Sequence, residues 1–164
     1  MIYNNFTFIL HKPQLSENIG LCARGLKNFG FKNLSLIDPK PIFPNDKILA
    51  TSVGARDIIN QSKVYKNIED ALDNIDIVVA TSARFRNKNV KHININDLKK
   101  LNYNKKIGFL FGSEASEPNK KPIFFLKLIF FKSFKLICLT FLFLNLAEVA
   151  ITISILLMAF SKLS

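Results

Sequence analysis

The chain has 164 residues, 49% of them hydrophobic, with 23 Lys and Arg against 12 Asp and Glu, a formal net charge of +11 and a pI near 9.8. Such a chain is long and apolar enough for one domain with a self-sufficient core, and its cationic surplus points to a nucleic acid or an acidic membrane surface, with plain solubility as the alternative. Cys22 and Cys138 lie far apart without CxxC spacing, and His11 and His92 are isolated, which argues against a disulfide scaffold and a metal site.

The N-terminus lacks a basic stretch leading into a long apolar core, so no signal peptide is expected and the protein is read as cytoplasmic, with reduced, buried thiols. Residues 6–10 form a short apolar run bounded by polar residues, a buried strand. Asn18 is placed to cap the helix that follows, and Gly30 to end it. On this reading Asn18 and Arg24 are held close together at the helix start. Residues 34–37 are a second strand, closed by Asp38, Pro39, Pro41 and Pro44. Residues 46–61 are helical in part, with a break at Gly54. Residues 64–65 are a short strand. Asn67 caps a helix over 68–74, with Glu69 and Asp70 where the helix dipole favours acids. Residues 75–80 are a continuous apolar strand covered on both faces. Asn96 caps a turn of helix over 97–101, and residues 107–111 are another buried strand, ending at Gly112. Strands alternating with helices at short spacing predict an α/β fold, a mainly parallel sheet flanked by helices, in a single domain over 1–164.

The composition changes after Ser116. Residues 117–122 read Glu-Pro-Asn-Lys-Lys-Pro and lead into a stretch dense in Phe, Leu, Ile and Lys, whose apolar positions follow neither a helical nor a strand period. Residues 136–160 contain one formal charge, Glu148.

Ligands of open α/β sheets sit beyond the carboxyl ends of the strands. Three stretches occupy such ends: the loop to Asn18 and Arg24, the run Thr81-Ser82-Ala83-Arg84-Phe85-Arg86, and the run Phe111-Gly112-Ser113-Glu114-Ala115-Ser116. Each has a simpler reading. Asn18 could only cap a helix, Arg24 could pair with Glu17 on the surface, and Gly112 and Ser82 could serve turns. Arg84, Arg86, Lys88, Lys91, Lys99, Lys100, Lys105 and Lys106 face a single acid, Asp97, over residues 84–106. They read as a phosphate-binding surface beside the pocket, with Phe85 and Tyr103 for stacking, or as a solvated face.

Four motifs carry a family resemblance: NIGLCARGLKNFGFKNLSLIDP from Asn18, SVGARD from Ser52, TSARFR from Thr81 and FGSEAS from Phe111. Together, at these distances, they resemble the SpoU branch of the SPOUT RNA ribose 2′-O-methyltransferases. Within it they are most similar to the TrmJ-type tRNA cytidine/uridine enzymes. The resemblance spans residues 6 to about 116. It implies a SPOUT-like fold with a C-terminal trefoil knot, S-adenosyl-L-methionine as cofactor, RNA and most naturally tRNA as partner, and a homodimer if the knot forms. It also implies roles: Arg24, Asn18 and Glu114 at the catalytic centre, and Thr81, Ser82, Ala83, Gly112, Leu144 and Asn145 around the cofactor. Arg84, Arg86, Lys88 and Lys91, already read as a phosphate-binding run, would then meet the RNA. No metal is implied.

The third family motif departs. Glu117-Pro118 stands where Gly-Leu is expected, no Ile-Pro follows, and Leu144 to Ala150 regains the pattern with Phe143 in place of a serine. The lost motif between matching flanks reads as a segment, residues 117–143, translated in a shifted frame, and it is expected to impair folding or cofactor binding. Two other readings stay open: an RNA-binding remnant without catalysis, and a membrane-attached protein anchored through 136–160. Against the anchor, Asn145 and Glu148 would be costly in lipid, and with Thr152 they share one helix face.

Overall fold

Phe6, Phe8 and Leu10 alternate with Thr7, Ile9 and His11 along the first apolar run, and every apolar one of them is buried, because the strand they form lies inside a sheet covered on both faces. The computed structural model describes residues 2–82, 91–93, 95–112 and 123–127. Within them the strands are β1 (Phe6–His11), β2 (Asn33–Ile37), β3 (Lys63–Tyr65), β4 (Ile77–Ser82), β5 (Lys91–Ile93), β6 (Ile107–Gly112) and β7 (Ile123–Lys127). The helices are α1 (Ser16–Asn28), α2 (Asp46–Thr51), α3 (Arg56–Gln61) and α4 (Ile68–Leu72), with 3-10 turns at Ile2–Asn5 and Ile95–Lys100. All strand pairs are parallel, in the order β3-β2-β1-β6-β4-β7-β5.

One face of the sheet carries Phe6, Phe8, Phe109 and Phe111 against Ile19, Cys22, Ala23 and Leu26 of α1, and Ile48, Ile58 and Ile59 of α2 and α3. Phe8 and Phe109 stack with centroids 5.4 Å apart, and Phe31 meets Phe8 edge-on at 5.0 Å; such pairs add about 0.5–1.5 kcal/mol beyond their buried area. The other face buries Ile9, Ile37, Val78, Ala80 and Leu110 under Ile68, Ala71 and Leu72 of α4. Cys22 is a free thiol wholly inside the first cluster, and burial pushes its pKa up to about 12, so it stays protonated.

Several expected boundaries hold. Gly30, at φ +79°, ends α1: the Phe31 and Gly30 amides donate to the Leu26 and Lys27 carbonyls, and buried Phe31 packs with buried Leu26 in the same cluster, as a left-handed helix stop requires. The break at Gly54 separates α2 from α3. Asn67 caps α4, its side chain accepting from the Asp70 amide at 2.8 Å.

Others shift. Asn18 does not cap α1: the helix starts at Ser16, with Leu15 extended at the cap position and making no side-chain cap bond. Ser16 is itself engaged, its Oγ accepting from Asn45 Nδ2 at 2.9 Å while Asn45 caps α2. The 3-10 turn begins at Ile95, so Asn96 sits inside it rather than before it. The strand expected over 75–80 runs from Ile77 to Ser82, because the Lys106 carbonyl binds the Asp76 and Ile77 amides and Asp76 Oδ2 takes the Lys106 amide. β5 and β7 were not expected; β7 lies within the atypical 117–143 segment and adds to β4 in register, Val78 opposite Ile123. Among the described residues no helix is long and apolar enough to cross a membrane. Residues 136–160 lie outside those described.

Candidate functional site

The sheet order fixes where a ligand can enter. From β1 the chain winds outward to β2 and β3; from β6 it moves the opposite way, to β7. The reversal falls between β1 and β6, and in open α/β sheets the crevice at the carboxyl ends of two such strands is the usual ligand position. β4 flanks β6, so the carboxyl ends of β1, β6 and β4 stand side by side. The three stretches singled out in the sequence begin at these ends.

β1 ends on His11 and β6 on Gly112, and the two are register partners. A Cβ on Gly112 would lie 2.8 Å from both Cβ and the carbonyl oxygen of His11, and 3.4 Å from its Nδ1. The glycine is therefore needed because the His11 backbone and Cβ approach it closely, a role beyond that of a turn residue, and the imidazole lies beside it at ordinary contact. The Nδ1 atom is buried and has no hydrogen-bond partner among the described residues. Burial, and then Lys12, hold the His11 pKa below its ordinary value, with Asp38 opposing. Next to this pair the chain is bent: Lys12 and Asp38 have φ of 51° and 44°, a left-handed conformation that is costly for a residue with a side chain. Their amides donate to the carbonyls of Ile37 (2.8 Å) and Tyr65 (2.9 Å), and their side chains approach to 3.8 Å.

Asn18 follows in the first turn of α1. Released from capping, its Oδ1 is the second buried side-chain atom without a hydrogen-bond partner among the described residues. An orphan of this kind costs about 1–3 kcal/mol unless a ligand or water satisfies it. Arg24 is exposed on α1. Six residues along a helix amount to about 9 Å of rise and a rotation near 120° from Asn18, so the two do not form the close pair that the sequence suggested. Nor does Arg24 pair with Glu17, whose carboxylate lies 4.0 Å from Lys47 Nζ; among the described residues it makes no ion pair. It stands on the outward stripe of α1 with Leu21, three residues before it and 41% exposed.

Thr81 and Ser82 are the last residues of β4, and Thr81 Oγ1 donates to the Leu110 carbonyl of β6 at 3.4 Å. Ala83, Arg84, Arg86, Lys88, Glu114, Leu144 and Asn145 lie outside the described residues. Lys91 opens β5 and Lys105 and Lys106 precede β6, which puts them at the amino edge of the sheet, opposite the crevice. Arg84, Arg86 and Lys88, the rest of the expected RNA-binding set, are not among the described residues. His11 is the site residue that sequence reasoning missed: it was weighed only as a metal ligand, and its single signal was its place as the last residue of the first strand. Gly20 also has a role the motif left open. A Cβ there would lie 2.0 Å from Thr51 Oγ1 and 2.5 Å from the Ile48 carbonyl, so α1 rests directly on α2.

A cradle that a Cβ would fill and two orphaned polar atoms at a topological switch fit a small polar ligand. Comparison with known proteins gives that ligand a context. The model of the SpoU rRNA Methylase family matches residues 5–119. A tRNA (cytidine-2′-O-)-methyltransferase TrmJ of Methanocaldococcus jannaschii is 36% identical over 111 residues, 65% of this chain and 48% of its own length, so the chain spans about half of that relative. Among solved structures, a probable methylase family protein from Haemophilus influenzae superposes with a TM-score of 0.75 at 27% identity, covering 99% of this chain and 67% of that one. The methyltransferase AviRb from Streptomyces viridochromogenes, solved in complex with AdoMet, shares the fold with a TM-score of 0.61 at 14% identity, over 96% of this chain and 58% of its own.

Proposed function

Because this chain belongs to the SpoU rRNA Methylase family, we propose that it transfers a methyl group from S-adenosyl-L-methionine to a ribose 2′-hydroxyl of RNA, with tRNA as the substrate, S-adenosylhomocysteine as the leaving thioether and the hydroxyl proton released to solvent. The observation that carries the reading is the family match over residues 5–119, and the crevice between β1 and β6 supports it. The substrate follows from the TrmJ relative, a tRNA (cytidine-2′-O-)-methyltransferase.

The cofactor, when bound, supplies an electrophilic sulfonium methyl. The residues need mainly to align the hydroxyl oxygen with it and exclude water, which is catalysis by proximity. Gly112, Thr81 and Ser82, with Ala83, Leu144 and Asn145, hold the cofactor, and the close backbone of Gly112 shapes the floor of its pocket. Asn18 offers an acceptor to a substrate hydroxyl. An arginine keeps its proton in proteins, so Arg24 orients the acceptor nucleotide through a phosphate and stabilises developing charge, and Glu114 organises the centre. Arg84, Arg86 and Lys88 contact the RNA backbone near the reacting nucleotide, and Lys91, at the opposite edge of the sheet, meets a more distant part of the same RNA. Arg24 is exposed about two turns along α1 from Asn18, so the nucleotide, or a second copy of the chain in a homodimer, brings the reacting groups to it. A cytoplasmic location completes the reading, with residues 1–164 as one methyltransferase domain.

A second reading, an RNA-binding remnant, draws on the departure of residues 117–143 from the family pattern. The test is methyl transfer to bulk tRNA from labelled S-adenosylmethionine by the purified chain, beside Arg24→Ala. Incorporation by the wild type that falls about 10²-fold in the variant is the expected result. Tight RNA binding with no incorporation favours the remnant, and unchanged activity in Arg24→Ala removes the role given to that residue.

A further inference from the structure

We infer that His11 is a binding residue for the methyl donor, its Nδ1 accepting a hydrogen bond from a hydroxyl or amino group of the adenosyl amino acid held between the ends of β1 and β6. The inference rests on the methyl-transfer reading above.

Three observations converge on this residue. It is the last residue of β1, at the point where the winding of the sheet reverses. Its register partner is Gly112, where a Cβ would meet His11 Cβ and carbonyl oxygen at 2.8 Å and would lie 3.4 Å from Nδ1, so only a glycine lets the two strand ends approach this closely beside the imidazole. Its Nδ1 is buried with no hydrogen-bond partner among the described residues. A buried nitrogen without a partner is destabilising unless something satisfies it when the protein works. Here the neighbouring polypeptide is the backbone of Gly112 itself, assigned above to the cofactor pocket, so the orphan atom and the ligand share one wall.

The chemistry of the two sides matches. A neutral imidazole has one nitrogen lone pair and one N–H. S-adenosylmethionine carries ribose hydroxyls and an α-ammonium group, all donors, and is cationic at sulfur. A neutral acceptor suits such a ligand, whereas an imidazolium would repel it. The depressed basicity of His11 accords with this. Metal coordination is a poorer use of the residue, since among the described residues no three potential ligands cluster.

Side-chain geometry supplies a test that a structural role would not mimic. The amide oxygen of an asparagine takes the position of Nδ1, whereas the amide of a glutamine reaches that of Nε2. The full-length chain and its His11→Asn, His11→Gln and His11→Ala variants would be titrated calorimetrically with S-adenosylhomocysteine, which keeps the hydroxyls and the amino group, and their thermal midpoints measured alongside. The expected result is that His11→Ala and His11→Gln bind about tenfold more weakly than the wild type, the loss of one hydrogen bond, while His11→Asn stays within about threefold. If His11→Ala does not fold, the Asn and Gln variants carry the comparison. Equal affinity in all folded variants, or an Asn variant as weak as the Gln variant, overturns the role of His11 and leaves the methyl-transfer reading in place. Absence of binding by the wild type sinks that reading, and this inference with it.

Discussion

At the amino edge of the sheet Asn33 donates through Nδ2 to the carbonyls of Asn4 and Phe6, at 3.0 and 2.9 Å, Asn5 donates to the Tyr103 carbonyl, and Asp76 receives the Lys106 amide. At the carboxyl edge, by contrast, His11 Nδ1 and Asn18 Oδ1 are buried and unpartnered among the described residues, and Lys12 and Asp38 hold left-handed backbone. The same parallel strands run into both edges, so secondary structure does not explain the difference. One edge closes the strands by hydrogen bonding, whereas the other keeps buried groups in reserve and tolerates strain. That division is expected where stability and ligand binding occupy opposite ends of a sheet.

Substitutions at the two edges should therefore separate stability from binding. The largest effect is expected from Gly112→Ala. Its Cβ would meet the backbone oxygen of His11 at 2.8 Å, an obstacle that cannot swing away, so the variant should lose about 1–3 kcal/mol together with measurable S-adenosylhomocysteine binding, as followed by chemical denaturation and calorimetry. Next is Asn33→Ala, which removes two bonds from the closed edge. It should lower unfolding free energy by about 1–2 kcal/mol while leaving cofactor affinity unchanged; a comparable loss of affinity would abolish the contrast. Smallest is the pH response. The folded pKa of His11 lies below its ordinary 6.5, so the unfolded chain binds more protons in that window. The contribution is complete above about pH 6.5 and is lost as pH falls through the folded value. The stability of the wild type should fall relative to that of His11→Asn on acidification, and a difference independent of pH would count against it.

Local chemistry was legible where a residue acts on its own neighbours. Gly30 as a helix stop, Gly54 as a break and Asn67 as a cap depend on spans of a few residues, and the sequence displays them. The start of α1 was misplaced because Asn18 is an excellent cap by type, while the extended residue that caps is Leu15, and Ser16 is claimed by Asn45 from another loop. β5 was hidden because Lys91, His92 and Ile93 have no strand pattern of their own and acquire one only by pairing with β7. β7 was hidden inside an apolar stretch without period. Lys91, Lys105 and Lys106 start strands at the amino edge, a placement that adjacency in sequence does not reveal. His11 stayed invisible for the same reason: its partner, Gly112, is a hundred residues away.

The seating of α1 on α2 has a further consequence. With no side chain at Gly20 to hold the helices apart, and with Asn45 bridging α2 to Ser16, the turn that carries Asn18 is fixed at both ends before any ligand arrives. The loss of freedom needed to aim Asn18 thus occurs during folding, so the first turn of α1 presents the Asn18 amide as a preorganised surface to any ligand that reaches it.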